Sequence, residues 1–139
     1  MGMEVRLSLS LPRDRSTVPL TRRVLDAALG LVSVTEDCRA DIGLAVGEAC
    51  ANAVEHAVTG TDYHVTVTIH EDRCVIDVVD EGVGAPTTDT PDVGPDEEAG
   101  RGLRIIRALA DVVELHRDYP RGAGLRIIKL LSRTKPLIV

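Results

Sequence analysis

The sequence predicts an α+β domain in which helices cover one face of a mixed, mostly antiparallel sheet. Segments with the two-residue period of strands and segments of helical period follow each other as strand, helix, helix, strand, strand, loop, helix, strand, strand. Two of the strands are separated only by the turn Glu71-Asp72, which predicts a hairpin. With 139 residues and 44% hydrophobic content, we expect one domain spanning residues 1–139.

The first half of the chain predicts one strand and two helices. Alternating apolar and polar residues form a strand that Pro12 is expected to end. Ser16 or Thr17 is suited to cap the first helix. The second helix is expected to begin at Thr35 and to continue to about Val58.

The second half of the chain predicts the hairpin, a loop, a short helix and two strands. The hairpin covers residues 65–79. Residues 85–99 hold three prolines and five acidic residues, which favour a loop. We expect Gly100-Arg101-Gly102 to open the short helix, and the last strands to cover residues 112–119 and 125–131.

Composition excludes several classes of partner. The net charge of −6 and the pI near 5.1 argue against duplex nucleic acid and against an anionic membrane surface. Cys38, Cys50 and Cys74 lack metal-type spacing, so we expect reduced, buried thiols. No apolar run approaches the length of a membrane span, and the N-terminus lacks a signal-peptide pattern. We therefore expect a cytoplasmic protein.

One helix carries an unusual polar ridge. Glu48, Asn52 and His56 recur every four residues in an alanine-rich run, roughly 6 Å apart along the helix. An amide oxygen can bind a hard cation while a carboxylate one turn away accepts a proton. The alternative is the solvated face of an amphipathic helix.

A second candidate feature lies at the end of the hairpin. Asp80 ends an apolar strand, where it could accept a hydrogen bond from an exocyclic amine of a base. Gly82 and Gly84 would allow a ligand to approach the backbone closely. An ordinary strand-end turn is the alternative.

The third feature is Gly100-Arg101-Gly102, whose backbone amides at a helix start would bind an anion with help from Arg101. A glycine hinge after the loop is the alternative. A cation ligand, an amine acceptor and a phosphate cradle are together what a nucleoside triphosphate with magnesium requires. Their combination therefore favours a nucleotide site.

These three blocks resemble the N box (48–56), the G1 box (80–84) and the G2 box (100–103) of the GHKL ATP-binding superfamily. In particular, the chain resembles the small anti-sigma factors and serine-protein kinases of the SpoIIAB and RsbW type. The resemblance covers nearly the whole chain. It implies the Bergerat fold, a two-layer α/β sandwich, with an ATP lid at about residues 85–100.

The resemblance also implies roles for individual residues. Asn52 matches the magnesium ligand in the ATP site, Glu48 the general base, and Asp80 the aspartate that binds adenine. The remaining matches to ATP-binding positions are Gly82 and Gly84 in the first glycine box, and Gly100, Arg101, Gly102 and Leu103 in the second. His56 would have a structural role. Because aromatic residues are scarce, adenine is expected to pack against aliphatic side chains such as Val54, Val78 or Ile106.

The function implied is that of an anti-sigma factor with serine-protein kinase activity. It would bind ATP and Mg²⁺, act as a homodimer, sequester an RNA polymerase sigma factor, and phosphorylate a serine of a STAS-type anti-anti-sigma factor. The alternative is a nucleotide-binding anti-sigma or switch protein without phosphotransfer activity, although the presence of Glu48 favours a kinase. A sensor histidine kinase is disfavoured, since no helical hairpin carries a phosphoacceptor histidine.

Overall fold

The computed structural model describes residues 2–56, 62–80, 98–117 and 123–134. Three helices and five strands lie in these ranges. In chain order they are β1 (Val5–Pro12), α1 (Thr17–Leu31), α2 (Glu36–His56), β2 (Asp62–Ile69), β3 (Arg73–Asp80), α3 (Glu98–Leu109), β4 (Val112–Arg117) and β5 (Ala123–Leu130).

The five strands form one sheet in the order β1-β2-β3-β5-β4. Each neighbouring pair is antiparallel, so the predicted α+β class is confirmed, while a parallel pair is not found among the described strands. The predicted hairpin is β2 and β3, with Tyr63 opposite Asp80 at its open end. Inward-facing residues of β2 are buried and Thr66 on the outer face is exposed, as expected for a sheet covered on one side.

Several predicted boundaries shift in the structure. Pro12 belongs to β1 as its last residue, opposite Asp62, because an edge strand tolerates proline at its end. Helix α3 begins at Glu98, two residues before the predicted start. Strands β4 and β5 differ from the predicted ranges by one or two residues.

The two long helices begin differently. Ser16, one of the two predicted cap residues, occupies the N-cap position of α1, but its side chain makes no capping hydrogen bond. Instead Asp14 organises this turn, because its Oδ1 accepts from the Ser16 N–H at 3.0 Å and its carbonyl accepts from Thr17 Oγ1 at 2.7 Å. Thr35 caps α2, since its Oγ1 accepts a hydrogen bond of 3.3 Å from the Cys38 N–H.

The core is aliphatic and lies between the helices and the sheet. Helix α2 packs against α1 on one side and α3 on the other, with β3 beneath it. Cys38, Cys50 and Cys74 are buried free thiols, as predicted. Burial raises the pKa of Cys50 and of Cys74 to about 12, so both stay protonated at neutral pH.

The segment after β5 ties two distant turns together. The guanidinium of Arg133 donates to the carbonyl oxygens of Val32 at 3.0 Å and His70 at 3.1 Å, and also to that of Glu71. These bonds connect the α1–α2 junction to the β2–β3 turn. No helix in the described part of the chain is long and apolar enough to cross a membrane.

Candidate nucleotide-binding site

Helix α2 places Glu48 and Asn52 one turn apart on the side that faces α3. Both side chains are half-buried, and Gly102 of α3 is buried against them. A methyl group built on Gly102 would lie 3.0 Å from Glu48 Oε1, and 3.7 and 3.8 Å from Asn52 Oδ1 and Nδ2. A side chain at this position would require Glu48 to shift by a few tenths of an ångström, so glycine favours the close approach of the two helices. The structure therefore brings two predicted site features, the polar ridge and the second glycine box, into one place.

The start of α3 supplies backbone donors beside these side chains. Gly100 is the third residue of the helix, so its N–H belongs to the first turn, whose N–H groups have no intrahelical acceptor. The helix dipole adds partial positive charge there. The Arg101 side chain is exposed, whereas Leu103 is half-buried and packs against the core.

Asp80 is half-buried at the end of β3, and a chain of contacts places it near the same turn of α2. The Cys50 side chain hydrogen bonds to Tyr63 of β2, and Tyr63 is the register partner of Asp80. Cys50 lies between Glu48 and Asn52 in sequence. Asp80 therefore lies at the level of the α2 turn that carries the polar pair.

Other predicted site residues lie outside the described residues. These are Gly82, Gly84, the side chain of His56 and the predicted lid up to residue 97.

A buried polar cluster behind the site was missed by sequence reasoning. Tyr63 is fully buried, and its hydroxyl lies 2.6 Å from Thr17 Oγ1. Thr21 Oγ1 donates to the Thr17 carbonyl at 2.9 Å, and both Thr21 and Cys50 contact the cluster. Burial raises the pKa of Tyr63, which remains a neutral phenol. The sequence contained one signal of this cluster, which was a single tyrosine at an inward-facing position of a strand rich in valine.

The aliphatic residues expected around adenine differ in accessibility. Ile106 is 0% exposed within the core, which leaves it no surface for a base. Val78 is almost as deeply buried, and Val54 is half-buried. Of the three, Val54 is therefore the side chain with most surface available to a ligand.

The residues present fit a nucleotide bound with magnesium. The described residues contain no cluster of three His, Cys, Asp or Glu side chains suited to a metal. Magnesium is commonly held by one or two protein oxygens together with phosphate oxygens and water, and Asn52 can supply such an oxygen. Gly102 carries no side chain that would stand between the α3 backbone and the polar groups of Glu48 and Asn52.

The fold and this arrangement define a class of ATP-binding domain. The family model described as the histidine kinase-like ATPase domain matches residues 11–129, and the chain belongs to this family.

Two relatives of the chain are proteins named serine-protein kinase RsbW. The chain is 29% identical to the serine-protein kinase RsbW of Halalkalibacterium halodurans, over 91% of this chain and 84% of that protein. It is 32% identical to the serine-protein kinase RsbW of Listeria monocytogenes, over 84% and 82% of the two chains.

A solved structure supports the fold. The crystal structure of the RsbU and RsbW domains of Rv1364c from Mycobacterium tuberculosis matches 97% of this chain with a TM-score of 0.73 and 19% identity. This chain spans 35% of that longer polypeptide.

Proposed function

We propose that this protein is an ATP-dependent serine-protein kinase that also acts as an anti-sigma factor in the bacterial cytoplasm. The observation that carries the proposal is the contact of Glu48 and Asn52 with Gly102. This proximity would join a proton acceptor, a cation ligand and a phosphate-binding backbone in one site. The names of the RsbW relatives support serine-protein kinase activity.

Each site residue has a role in this proposal. Asn52 would hold magnesium, and Asp80 would accept a hydrogen bond from the adenine amine. Gly100, Gly102 and the Arg101 side chain would bind the phosphates at the start of α3. When bound, ATP with magnesium supplies the activated phosphoryl group and neutralises part of its charge. Gly82 and Gly84 are proposed to complete the adenine side of the site.

Glu48 is the proposed general base. A serine hydroxyl presented by a partner protein would donate its proton to Glu48 as its oxygen becomes bonded to the γ-phosphorus, while the bond from that phosphorus to the bridging oxygen breaks and ADP leaves. The proposed substrate is a STAS-type anti-anti-sigma factor, and the proposed second partner is an RNA polymerase sigma factor bound by a homodimer. The presence of a carboxylate at Glu48 favours phosphotransfer, because an inhibitor that only binds nucleotide would not need this group.

Transfer of radiolabelled phosphate from ATP to STAS proteins of the same genome tests the proposal. We expect Glu48→Gln to bind ATP and to lose at least 99% of the transfer rate. Glu36→Gln is the matched control, because it makes the same change three turns away on α2. Full transfer by Glu48→Gln would rule out this base.

Asn52→Ala tests the metal site separately. We expect the affinity for ATP in the presence of Mg²⁺ to fall at least tenfold in calorimetry, with the urea unfolding curve nearly unchanged. Unchanged ATP affinity would show that Asn52 is not a ligand of the nucleotide complex.

A further inference from the structure

Strand β4 forms one edge of the sheet. In the strand order β1-β2-β3-β5-β4 it pairs with β5 on one side, and no described strand lies on its other side. An edge strand presents a row of unpaired backbone N–H and C=O groups. Such a row is a template on which an extended segment of another protein can add as a further strand.

The face of β4 that looks toward the helices is incompletely covered. Leu125 and Ile127 of β5 are buried in the core, and their register partners on β4 are Leu115 and Val113. Val113 packs against the core, whereas Leu115 is 47% exposed although it lies on the same face of the strand. Leu115 is therefore an accessible apolar side chain beside the unpaired backbone of the edge.

Helix α3 carries two arginines on the side of this edge. The helix ends just before β4 begins, and the two elements are in contact. Gly102 of α3 faces α2, and Leu103 packs against the core. At 3.6 residues per turn, Arg104 and Arg107 lie roughly 200° and 140° around the helix from Gly102. Both arginines are exposed, and both therefore lie on the side of α3 away from α2, where β4 is the last strand.

These arginines are uncompensated charges on an acidic protein. Among the described residues, no acidic side chain forms an ion pair with Arg104 or Arg107. Arg117, the last residue of β4, is exposed and shares the face of Leu115 because it lies two residues further along the strand. The whole chain carries a net charge of −6. This edge is therefore locally positive and attracts a segment with acidic side chains.

The opposite edge of the sheet, β1, lacks this combination. Its inward side chains Val5, Leu7 and Leu9 pack against the core. The guanidinium of Arg6 on its outer face is paired with Glu4, with 2.7 Å between Nε and Oε2. Strand β1 has the unpaired backbone of an edge without an exposed inward leucine, so it is an internal control for β4.

We propose that the edge of β4 binds an extended acidic segment of a partner protein, which adds to the sheet as a further strand. The backbone of the segment hydrogen bonds to β4. Two acidic side chains on one face of the segment bind the arginines at 104, 107 and 117, and an apolar side chain between them packs on Leu115. None of these four residues belongs to the candidate nucleotide site, so binding at the edge does not require phosphotransfer.

A short blocked peptide is the probe, with threonine at alternate positions and with glutamate, valine and glutamate between them. We expect it to bind the full chain in an NMR titration with a Kd below about 1 mM. It should slow hydrogen exchange at β4 amides and leave exchange at β1 amides unchanged. Replacing both glutamates by lysine, or methylating the backbone nitrogens of the peptide, should weaken binding at least tenfold.

Variants of the full chain test the side chains that recognise the peptide. Arg104→Glu/Arg107→Glu should weaken binding of the glutamate peptide at least fivefold, and Leu115→Thr should weaken it at least twofold. Arg6→Glu is the matched control, because it reverses an exposed charge at the other edge, and it should keep the wild-type Kd within twofold. Raising NaCl from 50 to 500 mM should weaken binding to wild type more steeply than binding to the double variant.

Several results would overturn the proposed edge site. These are absence of binding by the glutamate peptide, equal binding of the glutamate and lysine peptides, an unchanged Kd in the double variant, and slowed exchange at β1 in place of β4. None of them bears on the proposed kinase activity, because the peptide titration contains no ATP and the variants of Glu48 and Asn52 test phosphotransfer separately.

Discussion

Replacing Gly102 by alanine separates the function of this glycine from its contribution to stability. Inside a helix, alanine is favoured over glycine by about 1 kcal/mol. The added methyl group would lie 3.0 Å from Glu48 Oε1, about 0.4 Å closer than the ordinary contact that begins at 3.4 Å. Relief requires Glu48 to move from its preferred rotamer, at a cost of about 0.5–1.5 kcal/mol.

These two effects nearly cancel in the free energy of unfolding. We therefore expect urea denaturation of Gly102→Ala to give a value within about 1 kcal/mol of wild type. Under the proposed function, nucleotide binding has no such compensation, because the methyl group would displace Glu48 and lie between the α3 backbone and the phosphates. We expect calorimetry with ATP and Mg²⁺ to show a loss of at least tenfold in affinity, which corresponds to about 1.4 kcal/mol.

Gly30→Ala is the matched control for this experiment. Its methyl group would meet Arg39 Nη1 at 3.5 Å, an ordinary contact far from the site. The control should be as stable as wild type or up to about 1 kcal/mol more stable, with unchanged ATP affinity. If Gly102→Ala binds ATP as tightly as this control does, α3 does not bind the phosphates at Gly102.

Three further predictions concern stability. Tyr63→Phe should lower the free energy of unfolding by about 1–2 kcal/mol, because Thr17 loses its buried partner; an unchanged urea midpoint would contradict this. Arg133→Ala should cost about 2 kcal/mol through three lost carbonyl contacts, and Arg133→Lys should recover less than half of it in the same assay. Burial raises the pKa of Cys50 and of Cys74 from 9.0 to about 12, so the unfolded chain loses these protons at a lower pH than the folded protein does. The free energy of unfolding therefore keeps its full value below pH 9 and declines as the pH rises toward 12. At pH 10 each thiol should have lowered the unfolding free energy by about 1.4 kcal/mol relative to pH 7, and a Cys50→Ala/Cys74→Ala double variant should show a smaller decline.

Local patterns predicted most elements of this fold because period and turn chemistry are properties of neighbouring residues. The hairpin of β2 and β3 is an example, since two alternating runs joined by Glu71-Asp72 leave few other arrangements. The position of β5 between β3 and β4 could not be predicted from such local patterns. Strand order depends on contacts between segments distant in sequence, which periodicity does not encode.

Part of the candidate site could likewise be predicted from local sequence patterns, and part of it could not. The spacing of Glu48 and Asn52 follows from helical geometry alone, so their common face could be predicted. Their contact with Gly102 could not be derived from periodicity, because it depends on how closely α3 packs against α2. Glycines are typical of the segment before a helix, so the sequence predicts a start at Gly100, whereas α3 begins two residues earlier at Glu98.

Glycines at the helix contacts determine which side chains pack against the two sides of α2, the side that faces α1 and the side that faces α3. Gly43 and Gly47 leave room for the side chain of Arg22 on the side of α1, and Gly102 brings the α3 backbone against Glu48 and Asn52 on the other side. A larger side chain at Gly47 or Gly102 would have to displace one of these polar groups. Glycines on two sides of one helix contact thus determine where the side chains of Arg22 and Glu48 lie along α2.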